Sequence, residues 1–196
     1  MRARTASVKR ATSETDISLT VNLDGHGRPV IDCGIPFMNH MLELLARHSL
    51  IDLRLAAKGD LAVDYHHTVE DMGICLGQAL DEALGNRKGI ARYGCAYIPM
   101  DETLCRAVID LGGRPFLHYE LACRKQKIRD FNLGLIEEML RSFCIHGRLN
   151  LHVTQFYGKD PHHAVEAVFK ALARALRQAI TNDPREQGIP SSKGKI

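Results

Sequence analysis

From Ile17 to Leu23 apolar and polar residues alternate. Ile17, Leu19, Val21 and Leu23 are separated by Ser18, Thr20 and Asn22, the period of a strand with one buried face. Gly27, Arg28 and Pro29 then mark a turn into a second strand. The same sequence of events returns later. Cys105 to Leu111 alternates, and Gly113, Arg114 and Pro115 follow it. Ahead of the two stretches stand Ser13-Glu14-Thr15 and Asp101-Glu102-Thr103. Elsewhere the period is helical: Phe37 to His48 reads as a helix, and its Met41-Leu42 and His48 recur as Met139-Leu140 and His146, which pairs His40 with Glu138. Val69, Met72, Leu76, Leu80 and Ala83 fall three and four apart, as do Val165, Phe169, Leu172, Leu176 and Ala179, so each set predicts a helix that buries one stripe. Gly85 is expected to end the first and Asp183-Pro184 to stop the second.

These matches divide the chain into two copies of a β-β-α-β-α unit, from about residue 5 to 90 and from 91 to 184. The expected fold is α+β: two pseudo-symmetric repeats, each a mixed sheet covered by helices, fused into a single domain over residues 1–196. The tail from 185 to 196 is too polar for a core and is expected to order only against a ligand or a neighbour.

Composition mainly excludes. With 26 Lys and Arg against 23 Asp and Glu, the net charge of +3 argues against nucleic acid or membrane as the principal partner, while anionic small molecules stay open. The six cysteines, Cys33, Cys75, Cys95, Cys105, Cys123 and Cys144, form no CxxC pair, so reduced cytosolic thiols are expected. The basic start runs into polar residues and does not read as a secretory signal, and no apolar run approaches a membrane span. A cytoplasmic location is the expectation.

The chemistry lies at two helix starts. His66-His67-Thr68-Val69-Glu70 recurs as His162-His163-Ala164-Val165-Glu166. Residues i and i+4 share a helix face, so His66 with Glu70, and His162 with Glu166, each form an imidazole–carboxylate chelate. His67 and His163 lie about 100° further round and are expected to reach a second ion, the two helices facing each other and exchanging ligands. Repeat symmetry then proposes His66, Glu70, His163 and Glu138 for one metal, and His162, Glu166, His67 and His40 for the other. Such a thiolate-free set suits divalent Mn, Fe, Co, Ni or Zn better than Ca or Mg. One HHxxE start alone would read as a buried histidine with a capping carboxylate, and Glu137-Glu138 alone as a solvated face. Duplication in a chain with 10 histidines favours ligands.

At these residues the chain resembles the imidazoleglycerol-phosphate dehydratase family, along nearly its whole length. The resemblance is carried by Asp64-Tyr65-His66-His67-Thr68-Val69-Glu70-Asp71-Met72-Gly73, by the stretch from Gly158 to Ala171, by Gly34 to Leu42, by Ala46-Arg47-His48, by Arg92-Tyr93-Gly94 and by Pro190-Ser191-Ser192-Lys193-Gly194. It implies an enzyme of histidine biosynthesis that removes water from D-erythro-imidazoleglycerol phosphate to give imidazole acetol phosphate. Two Mn²⁺ ions per active site, or other divalent transition metals, are implied, held by His40, His66, His67, Glu70, Glu138, His162, His163 and Glu166. They would bind the substrate ring as imidazolate, which expels the neighbouring hydroxyl through a diazafulvene-type intermediate. Glu14 is implied as the proton shuttle, and Glu14, His48, Arg92, Arg114, Lys170, Ser192 and Lys193 as substrate contacts. Lys170 would lie about two turns from His162 and some 12 Å away, within reach of the phosphate. A homo-oligomer of 24 chains with shared sites and metal-dependent trimer contacts is also implied.

Three positions depart from the family pattern: Asn39 where Asp is usual, Leu44 for Gln and Tyr65 for Asp. Asn39 removes a carboxylate that would orient a ligand, and Leu44 removes a polar substrate contact. Two other functions stay open on the residues alone. A dinuclear phosphate ester hydrolase would use the same ligand types but release phosphate, and a non-catalytic metal-binding module would have no use for Glu14 and the basic tail.

Overall fold

In the computed structural model, which describes residues 3–122 and 126–196, the first half runs β1 (Thr5–Ala11), β2 (Thr15–Asn22), β3 (Pro29–Asp32), α1 (Pro36–Ser49), β4 (Asp52–Gly59) and α2 (His66–Leu84). The second half repeats it as β5 (Tyr93–Met100), β6 (Thr103–Asp110), β7 (Phe116–Glu120), α3 (Gly134–Gly147), β10 (Asn150–Tyr157) and α4 (Pro161–Ile180), with a small hairpin of β8 (Lys127–Ile128) and β9 (Phe131–Asn132) inserted before α3. Cys123 lies outside the described residues. Each half therefore opens with one strand more than the alternation indicated.

Strand order is β1-β2-β4-β3 in one sheet and β5-β6-β10-β7 in the other. Both are mixed, with antiparallel pairs except for β3 on β4 and β7 on β10. Ile17, Leu19 and Val21 point inward from β2, and Cys105, Ala107 and Ile109 inward from β6, as their alternation requires. α2 covers β1 and β2, and α4 covers β5 and β6. Between the sheets α2 packs on α3 and α1 on α4, so each crossing joins the two halves. Gly73 and Gly77 make the first crossing close, since a Cβ on either would collide with the backbone of α3 at Met139 or Phe143. The buried residues of both halves form one continuous cluster.

One buried cation ties the halves. Arg87, only 2% exposed, pairs with Asp81 and donates to the carbonyls of Leu111, Gly147 and Arg148 at 2.8, 2.9 and 2.9 Å. Its charge is thus met on every side by acceptors, the condition for burying a guanidinium.

The tail does not wait for a ligand to find partners. Gly89 N–H donates to the Gly188 carbonyl at 2.9 Å, Arg92 Nη1 donates to the Pro190 carbonyl at 2.7 Å, and Ile196 lies against Gly113. Polar composition kept it out of the core, but its carbonyls serve donors that would otherwise lack them.

Candidate metal centre and active site

Two aspartates set the direction of the histidine pairs. Asp64 accepts the backbone N–H of His66 at 2.7 Å, and Asp160, at the cap of α4, accepts those of His162 and His163 at 2.8 and 3.4 Å. Pro161 opens α4 where no donor is required. The imidazoles consequently stand at the exposed first turn of each helix.

His162 Nε2 lies 3.2 Å from Glu166 Oε2, and His40 Nε2 comes from α1 to 3.4 Å of the same oxygen. The three donor atoms lie within 4.8 Å of one another. Ligands about 2.1 Å from a first-row divalent ion sit roughly 3.0–3.5 Å apart, so this spacing and this donor set fit such an ion. Burial pushes the Glu166 carboxyl up, but the Lys170 ammonium and His40 outweigh it, and the group is held below its ordinary value. The related group in the first half is looser: His66 Nε2 is 3.6 Å from Glu70 Oε2, and Glu138 stands on the facing helix α3 with its carboxylate 3.9 Å from Arg141.

His67 and His163 go elsewhere. His67 Nδ1 is 3.0 Å from Asp60 Oδ2 with Glu14 Oε1 3.8 Å from Nε2, while His163 Nδ1 is 2.8 Å from Glu102 Oε2 with Asp101 Oδ2 3.8 Å from Nε2. The expected ligand exchange between α2 and α4 does not occur within the chain, because α2 faces α3 and α4 faces α1. Hydrogen bonds to Asp60 and to Glu102 raise the pKa of His67 and of His163 above the ordinary imidazole range. Glu102 is held well below the carboxylate range by the N–H of Asp160, His163 and the N–H of Lys159.

Glu14 occupies the turn between β1 and β2 with its side chain half exposed. Its carbonyl accepts the Asp60 N–H at 3.1 Å. The turn is tied to α2 through Asp71, a buried carboxylate that accepts Thr15 Oγ1 at 2.5 Å and pairs with Arg10 at 2.9 Å. Neither Asp60 nor Asp71 was singled out by the sequence. Asp71 directly follows the His-His-x-x-Glu stretch, next to Glu70, which is the one signal that pointed to it.

Comparison with known proteins is decisive. The family model for imidazoleglycerol-phosphate dehydratase matches residues 33–176. The chain belongs to the imidazoleglycerol-phosphate dehydratase family. Membership makes it an enzyme, a hydro-lyase of histidine biosynthesis. It is 53% identical over 194 residues to the imidazoleglycerol-phosphate dehydratase of Nitrosomonas eutropha, covering 98% of this chain and 100% of that one. It is 52% identical over 197 residues to that of Nitrosomonas europaea, covering 100% of both. Among solved structures, the Staphylococcus aureus imidazoleglycerol-phosphate dehydratase superposes with a TM-score of 0.83 at 38% identity, over 91% of this chain and 99% of that one. One from Pyrococcus furiosus gives 0.83 at 33%, over 96% and 100%.

Against the family pattern, the three departures have distinct surroundings. Asn39 Oδ1 accepts both the backbone N–H and the thiol of Cys33 at 2.9 Å, so its amide braces the turn into α1. Leu44 packs against the core. Tyr65 donates to Asp130 Oδ2 at 2.5 Å and stacks on Phe131, clipping the β8–β9 hairpin to the start of α2.

The dehydratase family's other expected contacts fall in two places. Lys170 reaches back one turn to Glu166 Oε1 at 2.6 Å, closer to the ligands than the spacing of two turns suggested. His48, whose pKa is lowered by burial and by Lys170 and Arg174, belongs to the same region. At the other end of β5, Arg92 forks onto Asp110 at 2.7 and 3.1 Å and holds the tail that carries Ser192 and Lys193, while Arg114 follows Gly113, against which Ile196 lies. Lys170 meets Met100, the last residue of β5, whereas Arg92 precedes its first. The two groups therefore lie toward opposite ends of β5, an eight-residue strand that spans about 24 Å. No helix among the described residues is long and apolar enough to cross a membrane.

Proposed function

We propose that the chain, as a single catalytic domain, converts D-erythro-imidazoleglycerol phosphate to imidazole acetol phosphate at a dinuclear site of two Mn²⁺ ions. The observation that carries this reading is the His40–His162–Glu166 group at ligand spacing, with a second imidazole–carboxylate pair at the equivalent helix start. His40, His162 and Glu166 would hold one ion, and His66, Glu70 and Glu138 the other, with His67 and His163 completing the shells. Bound divalent ions supply Lewis acidity that stabilises the electron density released into the substrate's imidazole ring.

Glu14 supplies the proton transfers. As the acid it protonates the hydroxyl leaving the carbon next to the ring; as the carboxylate it then removes the proton of the neighbouring carbon. One C–O and one C–H bond are broken, water departs, and the enol tautomerises to the ketone with the phosphate ester intact. Its place 3.8 Å from His67 supports this role, since a shuttle must stand beside the groups that hold the reacting ring.

The separation along β5 supports sharing of sites between copies. A ring held near Glu166 and Lys170 lies toward the opposite end of β5 from Arg92 and from the tail that Arg92 holds, which favours a neighbouring copy as the source of the phosphate contacts. The Nε2 atoms of His67 and His163 are likewise turned away from the chelates of their own chain. We therefore propose a homo-oligomer, a 24-mer by family resemblance, in which one chain's phosphate contacts and outward histidines complete a neighbour's site. Such an enzyme would be cytoplasmic and would need neither nucleic acid nor membrane.

The test is turnover of imidazoleglycerol phosphate by protein stripped of metal and reloaded with Mn²⁺, with ketone and free phosphate followed together. Metal-dependent ketone without phosphate is expected; phosphate release would make it a hydrolase, and two bound ions without turnover would overturn the reading. Chelation should shrink the particle, whereas a full-size particle after complete chelation would exclude metals as assembly clips.

A further inference from the structure

We infer that Asp60 and Glu102 are positioning residues that fix the tautomer and direction of His67 and His163. The inference rests on the reading of these two histidines as metal ligands. In both halves a carboxylate oxygen lies at hydrogen-bond distance from Nδ1, 3.0 Å for Asp60 and 2.8 Å for Glu102. A neutral imidazole that donates from Nδ1 to a carboxylate carries its lone pair on Nε2. The ring then presents one defined donor atom to an ion, and rotation about its bonds to the backbone is restricted.

The two carboxylates come from unrelated places. Asp60 follows β4 on the six-residue connection 60–65, whereas the corresponding connection 158–160 is three residues long. Its own carboxylate, Asp160, is engaged at the α4 cap, and it donates its Lys159 and Asp160 N–H groups to Glu102 Oε1 at 3.1 and 3.0 Å, leaving Oε2 for the ring. Convergence of two different carboxylates on one ring atom in a duplicated chain points to a requirement at that atom rather than inheritance from a common ancestor. Asp60 also has a buried oxygen, Oδ1, that finds no hydrogen-bond partner among the described residues. Its placement is set by the imidazole and not by a wider network of its own. Through its backbone N–H the same residue holds Glu14, so ligand and proton shuttle share one anchor.

The experiment measures Mn²⁺ affinity, from free-ion EPR, together with the thermal midpoint of the metal-free protein, for Asp60→Leu, Asp60→Asn, His67→Ala and the Asp60→Leu/His67→Ala double variant. Leucine keeps the volume and loses the acceptor; asparagine keeps an acceptor. Asp60→Leu should weaken Mn²⁺ binding by roughly 10–100-fold with the metal-free midpoint unchanged, and Asp60→Asn should restore most of it. In the His67→Ala background Asp60→Leu should add nothing. Losses that simply multiply, or a lowered metal-free midpoint, would make Asp60 a structural residue and overturn the inference. If His67→Ala itself leaves affinity unchanged, the ligand reading fails. If His67→Ala weakens binding and Asp60→Leu does not, the positioning role alone fails. Glu102→Gln leaves a single amide oxygen for both the Lys159 and Asp160 N–H groups and the His163 ring, so it should weaken Mn²⁺ binding more than Asp60→Asn does; an unchanged affinity would overturn the positioning role of Glu102.

Discussion

The turn glutamates of the two halves, Glu14 and Glu102, hold matching places before β2 and β6 and do different work. Glu102 is bound down: Thr103, Lys159 and Asp160 donate to one oxygen and His163 meets the other. Glu14 meets His67 only at 3.8 Å and keeps a half-exposed carboxylate, because Asp60 has taken the ring's other nitrogen. The differing connections thus leave Glu14 without the donors that bind Glu102 down, as the proton shuttle proposed for it requires. On the proposed function, duplication preserved the scaffold that would hold the ions and left one of the two turn glutamates unbound.

The comparison can be broken most severely at the chelates. His162→Ala and His66→Ala should each remove one of two bound ions and cut turnover by more than the roughly 100-fold ceiling of an outer partner. Metal analysis after dialysis checks this, and retention of both ions in His66→Ala would mean that the looser first-half group is no site. Next come the glutamates. Glu14→Gln should lower kcat by about 10²–10⁴-fold with Mn²⁺ content unchanged, while Glu102→Gln should cost turnover far less. Equal losses would erase the distinction between the halves.

A smaller effect is expected at the helix crossings. Gly73 of α2 abuts the Met139 backbone, whereas the matching position on α4 is the fully buried Phe169. Gly73→Ala should therefore destabilise by about 1–3 kcal/mol in denaturant unfolding, since the facing atom is backbone and cannot swing aside. The smallest effect is at the seam where Arg4 pairs with Asp24 and donates to the Ile180 carbonyl at the end of α4. The Arg4 hydrogen bond holds the Asp24 pKa below its ordinary value. A depressed pKa stabilises the fold above the unfolded value near pH 4 and loses that contribution as pH falls through the folded value. Asp24→Asn should cost under about 1 kcal/mol at neutral pH, the pair being partly exposed, and the two proteins should converge in acid.

The repeat, the mixed sheets, the four helices and the paired histidines were legible because each rests on a period or on a duplicated string. Two strands were not. β1 is an edge strand whose only buried side chain is Val8, so its alternation carries almost no signal. In β5 the inward positions are small, Gly94 and Ala96, because the Ala175 backbone presses on Gly94, while the large Tyr93 and Tyr97 point outward. Hydrophobic size there runs opposite to burial. Within the site, His40 and Glu138 were singled out by the repeat, and His40 stands at ligand spacing with His162 and Glu166, but Asp60 was not, since it lies in the connection where the halves differ in length. Nor could spacing on α4 show that Lys170 folds back onto Glu166, a choice of rotamer rather than of position.

Arg87 gives the duplication an irreversible character. Its side chain and Asp81 belong to the first half, yet the three carbonyls that satisfy it, of Leu111, Gly147 and Arg148, all belong to the second. A first half made alone would leave that guanidinium with Asp81 as its one remaining partner, at a surface meant to be covered. Neither fragment can now replace the other, and a split chain should regain its fold only when both pieces are present together.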